Sequence, residues 1–190
     1  MRREPPVRIR EGLGVQFPRA TRLMILCRSP EEAAAALTIV QQWTAEADLT
    51  LHPIKTRIVH ATEEGFDFLG YRFEGGKRRP RTKGLEKLKD TIRAKTKRHS
   101  GGSLKAIITE VNRTLRGWFE YFKHSHRWTF EPLDRWIRRR LRSLLRRRHG
   151  LRGISRGMAD SFRWPNAFFA KQGLYNLSHA HALARQSSTR

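Results

Sequence analysis

The sequence predicts an α+β fold, in which a strand, a helix and a small antiparallel sheet precede a mainly helical bundle. Three observations predict it. An apolar run, Leu23 to Cys27, leads into a capped helical pattern; aromatics alternate from Phe66 to Phe73; and beyond residue 82 apolar residues recur at spacings of three and four.

The first apolar run is continuous, as in a strand covered on both faces. Ser29-Pro30-Glu31-Glu32 then offers an N-cap, a proline at the first helical position and a capping-box glutamate. Ala33, Ala36, Leu37, Val40, Thr44 and Ala47 follow on one face, so a helix is expected over about 30–47. LTLHPIKTRIVHA reads as a short strand, a turn at Pro53 and a strand from Arg57 to His60. Phe66 to Phe73 reads as a hairpin ended by Gly75-Gly76.

Three helices are expected next. Leu85, Leu88 and Ile92 mark the first, ended at Ser100-Gly101-Gly102. Ser103 caps the second, whose face runs Leu104, Ile107, Ile108, Val111, Leu115, Trp118, Phe119 and Phe122. Leu133, Trp136, Ile137, Leu141, Leu144 and Leu145 mark the third. Residues 1–20, with Pro-Pro and no periodicity, are expected to be loose, and the chain divides into 1–20, 21–76, 77–157 and a tail, 158–190.

Charge narrows the function. The 190 residues carry a formal net charge of +23, an excess that points to a polyanionic partner. Residues 29–76 hold three Lys/Arg against eight Asp/Glu, whereas residues 77–157 hold 26 against six. The middle is therefore the anion-binding part. Arg135, Arg138, Arg139, Arg142, Arg146 and Arg147, with Arg140 and Arg148, occupy positions the third helix's leucines leave. A merely solvated face mixes signs; this one reads as a phosphate-binding surface, with Lys77, Arg78, Arg79, Arg81 and Lys83 as a second site.

Enzymatic readings are weak. His124, His126 and His149 have neither a cysteine pair nor a ligand spacing, so no metal site is expected. Glu131 and Asp134 lie among arginines and read as ion-paired, and Cys27, the single cysteine, reads as packing in a buried strand. No phosphate loop or Ser-His-acid set stands out, and no catalytic residue and no cofactor are expected. Without a disulfide pair, an apolar leader or a span of about 18 apolar residues, the expected setting is reduced and cytoplasmic.

LMILCRSPEEAA, LTLHPIKTRIVHATEEGFDFLGYRF, LRGWFEYFKHS and DRWIRRRLRSLLRRRHG, with the tail SFRWPNAFFAKQGLYNLSHAHALAR, run in one order that resembles group II intron reverse transcriptases, also called maturases. The resemblance covers about residues 20–185 and implies a truncated polymerase-palm remnant, then a thumb and maturase-specific region. It implies that Phe68, Leu69, Gly70 and Tyr71 correspond to the primer grip, and that the partner is structured RNA, foremost group II intron RNA, with DNA as a further ligand. It also implies help with RNA folding and splicing.

The departure from the family bears on chemistry. Where the family has a Tyr-Ala-Asp-Asp turn that helps hold two metal ions, this chain has Arg19, Ala20, Thr21 and Arg22. Arginine cannot ligate Mg²⁺, so polymerisation by this chain alone is not expected. Two other readings stay open: a reverse transcriptase fragment active when another polypeptide supplies fingers and aspartates, and a decayed remnant without selected function. Exposed apolar surface left by missing neighbours predicts self-association or association with a full-length relative.

Overall fold

The computed structural model describes residues 24–53, 55–60, 63–97, 101–154 and 158–187. The loose segment expected at 1–20 and the Arg19–Arg22 positions lie outside them. The chain forms two compact units, Met1–Ile58 and Val59–Arg190.

In the first unit a single described helix, α1 (Pro30–Glu46), carries the predicted cap. Ser29 Oγ accepts from Glu32 N at 3.2 Å, and Glu32 Oε2 accepts from Arg28 N at 2.6 Å. Thr44 is buried, and its hydroxyl donates back to Val40 O at 2.8 Å. Ile39 and Trp43 are exposed. The expected strand at Leu23–Cys27 is corrected: the described residues Met24–Cys27 have no regular structure, Leu26 is 83% exposed and Cys27 is half-buried. The strands expected in 49–60 are irregular as well. A strand needs a hydrogen-bonding neighbour, and no strand forms among the described residues of this unit.

The second unit begins with an antiparallel meander, β1 (Phe66–Phe68), β2 (Tyr71–Glu74) and β3 (Lys77–Pro80), in that spatial order. Gly65 precedes it with φ +65°; a Cβ there would lie 2.5 Å from Phe73 O, so only glycine fits without a shift. Gly75-Gly76 joins two strands rather than ending the sheet, because the basic stretch after it pairs back onto β2 in register Glu74↔Lys77 to Tyr71↔Pro80.

Helices follow: α2 (Thr82–Lys95), α3 (Leu104–Phe122), a 3-10 turn (Arg127–Thr129) and α4 (Phe130–Arg148). Ser103 Oγ accepts from Ala106 N at 3.1 Å, capping α3 as expected. One cluster joins Leu88 and Ile92 of α2, Ile108, Val111 and Leu115 of α3, and Ile137, Leu141 and Leu144 of α4. These are the periodic positions read from the sequence. Phe130 joins them with no exposed surface, so its replacement by alanine would cost about 3–5 kcal/mol.

The tail folds onto this core as α5 (Met158–Arg163), α6 (Asn166–Lys171) and α7 (Leu177–Ser187). Trp164, Phe169 and Leu177 from the tail are buried in the same cluster. No described helix is long and apolar enough to cross a membrane.

Candidate nucleic-acid interface

The β1–β2 hairpin, expected to correspond to a primer grip, is fastened to α3. Leu69 and Gly70 form a two-residue turn between β1 and β2 with φ of +44° and +78°, the twist such connections require. Leucine strains there by about 1–2 kcal/mol. Two reciprocal hydrogen bonds hold the turn: Tyr121 Oη donates to Leu69 O at 2.7 Å, and Tyr71 Oη donates to Tyr121 O at 2.5 Å. The Tyr71 and Tyr121 rings stack at 6.1 Å, and Tyr71 meets Phe122 edge-on at 5.1 Å. Burial pushes the Tyr71 hydroxyl above its ordinary pKa, against the opposing field of Arg78. Phe68 is half-buried, and Leu69, 58% exposed, is the tip.

The five cations of the second predicted site fall on and beside β3. His126 N donates to Arg78 O at 2.8 Å, while Arg78 Nε donates to His124 O, tying the strand to the α3–α4 link. Arg79 pairs with Glu74, and Arg81 Nε lies 2.9 Å from Asp67 Oδ2. Lys77 Nζ sits 4.7 Å from the centre of the Trp128 ring. Lys83 is exposed on α2. Three of the five therefore have bonds within the fold, and all except the half-buried Arg81 are exposed.

The arginines of α4 divide into two sets. Arg135 is exposed and reaches Glu131 at 2.6 Å; Arg139 and Arg147 are exposed and Arg138 is half-buried, none with an ion pair to a described residue. Arg142 and Arg146 turn the other way, which corrects the expectation that they belong to the exposed basic face. Arg142 is buried, donates through Nε to Trp164 O at 2.9 Å and through Nη2 to Asn166 Oδ1 at 3.0 Å, and stacks over Phe169. Its burial lowers its pKa, Arg138 lowers it further, and Asp160 opposes both. Arg146 Nη1 pairs with the buried Asp160 at 2.8 Å. Arg140 donates to Thr96 O at 3.1 Å, and Arg148 donates to Gly102 O. A buried guanidinium is tolerated because carbonyl and carboxylate acceptors replace its water.

Sequence reading missed these anchors. Asp160 is the sole acidic side chain after Asp134, in a stretch whose apolar residues need a partner, and that was the available signal. Asp134, expected to be ion-paired, has no ion pair to a described residue. Its carboxylate accepts from Leu177 N at 3.0 Å and Ser178 N at 2.9 Å, capping α7 from another helix. Asn112 likewise joins α3 to the tail, donating to Gly173 O at 2.7 Å and accepting from Tyr175 N at 2.8 Å. Glu131 is paired as expected.

The arrangement offers guanidinium and ammonium groups on the surface, the kind of donor that an anion accepts from. Among the described residues no group of three His, Cys, Asp or Glu side chains is placed to hold a metal ion.

Comparison with known proteins assigns the helical part. The model of the group II intron, maturase-specific domain matches residues 85–160, which span most of α2, all of α3 and α4, and the start of α5. No curated protein matches the chain. The shared helical core and its arginine-bearing fourth helix thus lie within that match, and over residues 85–160 this chain is similar to the group II intron, maturase-specific domain.

Proposed function

We propose that the chain binds folded group II intron RNA and assists its folding and splicing, without polymerising nucleic acid itself. The observation that carries this is the set of the half-buried Arg138 and the exposed Arg139 and Arg147 on α4, none with an ion pair to a described residue, within the residues matching the maturase-specific domain. One-signed charge on a rigid helix complements a phosphate backbone, and arginine adds forked hydrogen bonds. No catalytic side chain is needed. A surface that binds folded RNA more tightly than its misfolded competitors shifts the population toward the folded form by that difference in affinity. Lys77 and Lys83 extend the cationic surface along the sheet and α2. The absence of polymerase activity rests on Thr21 and Arg22, where the resemblance places metal-binding aspartates. The setting that fits is reduced and cytoplasmic.

The test is splicing of a group II intron transcript at limiting Mg²⁺. Added protein is expected to raise the yield of ligated exons, and Arg138, Arg139 and Arg147 changed together to glutamine should abolish the gain. A transcript that splices equally well with and without protein rejects the proposal. The rival reading, a reverse transcriptase fragment completed in trans, predicts DNA product from primer extension only when a full-length relative is added.

A further inference from the structure

A second cationic surface lies at the opposite end of α4 from Arg147, around the 3-10 turn, and has a feature that the arginine cluster lacks. Trp128 is 63% exposed, a large aromatic surface left in water. Lys77 Nζ lies 4.7 Å from its ring centre and the His126 ring 4.7 Å away at 70°. Its support is rigid. His126 N is bonded to Arg78 O of β3, Thr129 N donates to His126 O at 2.9 Å, and Phe130, next in sequence, is fully buried.

The electrostatic surroundings have one sign. The groups acting on His126 are Lys77, Arg127, Arg185 and Arg79, contributed by β3, the 3-10 turn and α7, and all are cations. Glu74, which ends β2 opposite Lys77, is engaged by Arg79, and Glu131 in the first turn of α4 is engaged by Arg135. An exposed indole with Lys77 over its face and Arg127 beside it in the chain has little to gain from an apolar protein face, which would desolvate those charges. It suits a ligand that brings a flat π-face and phosphates together. Unpaired nucleotides do so, whereas a duplex keeps its bases stacked inside.

We propose that Trp128 is a stacking platform for an unpaired base of single-stranded RNA, with Lys77 and Arg127 holding the adjoining phosphates. This deepens the RNA-binding reading and rests on it. On binding, the Lys77 ammonium leaves the indole face for a phosphate and the base takes its place, so one aromatic surface serves both states. The α4 arginines meet the backbone of structured RNA; Trp128 meets a splayed base.

The experiment compares the full chain with W128A, W128Y and a triple R138Q/R139Q/R147Q variant, measuring affinity for a ten-nucleotide oligoadenylate and for an RNA hairpin with a closed stem. W128A is expected to weaken oligoadenylate binding roughly tenfold, W128Y to retain most of it, and neither to change hairpin binding more than about twofold. The triple variant should weaken hairpin binding. Equal oligoadenylate affinity in wild type and W128A overturns the stacking site while leaving the arginine reading intact. Equal loss for both RNAs in W128A also overturns it, as does an oligoglutamate of matching charge that competes as well as the oligoadenylate. If the triple variant binds the hairpin unchanged, the wider reading fails independently of Trp128.

Discussion

Arg146 Nη1 lies 2.8 Å from Asp160 Oδ1, a pair that joins α4 to the first helix of the tail with the carboxylate buried. A guanidinium that reads in the sequence as one more cation on a basic face is instead a fastener. Removing either partner leaves the other charge poorly solvated, at a cost of about 3 kcal/mol. Asp160→Asn and Arg146→Gln are each expected to lower the thermal midpoint substantially, whereas Arg139→Gln, on the exposed side of the same helix, should change stability by less than about 0.5 kcal/mol. Thermal unfolding followed by circular dichroism checks this, and equal midpoints for R146Q and R139Q would contradict the division of α4.

The salt dependence of RNA affinity should follow that same division. Each phosphate contact removed lowers the slope of log affinity against log salt by roughly 0.7–0.9. Changing Arg135, Arg138, Arg139 and Arg147 to glutamine together is therefore expected to flatten the slope by up to about 3, with the fold intact. Nitrocellulose filter binding across a salt series measures it. A slope that survives the four changes would remove α4 from the interface.

The turn that carries Leu69 depends on Tyr121. Tyr121→Phe loses the bond to Leu69 O and should cost about 1 kcal/mol, with faster hydrogen exchange confined to the β1–β2 hairpin. Gly65→Ala should cost more, because its φ is left-handed and the added Cβ meets Phe73 O. Amide exchange by NMR distinguishes a loosened hairpin from global unfolding.

Acidification should destabilise the chain through His181. Its pKa lies below the ordinary value, first because of burial and then because of Arg185, with His126 adding to the depression and a hydrogen bond to the Ser125 backbone opposing it. It also packs against Phe130, ring centres 4.6 Å apart. Below about pH 6.5 the unfolded chain binds the proton that the folded chain resists. Stability therefore falls as pH drops from 6.5 toward the folded pKa, and His181→Gln should flatten that part of the profile. Urea midpoints at pH 7.5 and pH 5.5 for both proteins provide the measurement.

Local patterning made much of this molecule legible. Ser29 and Ser103 announce their helices because a short hydroxyl followed by an apolar period satisfies orphan amides without help from distant residues. The buried faces of α2, α3 and α4 follow from the same periodicity, since a helix places its third and fourth neighbours together whatever it packs against. The net charge of residues 77–157 likewise needs no fold to be counted.

Tertiary structure alone decided where each charge points and which apolar runs find a partner. Leu23–Cys27 has the composition of a strand, but pairing is a property of two segments, and composition describes only one. Lys77 to Pro80 looks like a basic flank and becomes a strand because β2 offers it a ladder. Arg142 and Arg139 are the same residue three positions apart. One is drawn inward by the carbonyl of Trp164, which arrives from 22 residues along the chain, and the other is left to the solvent.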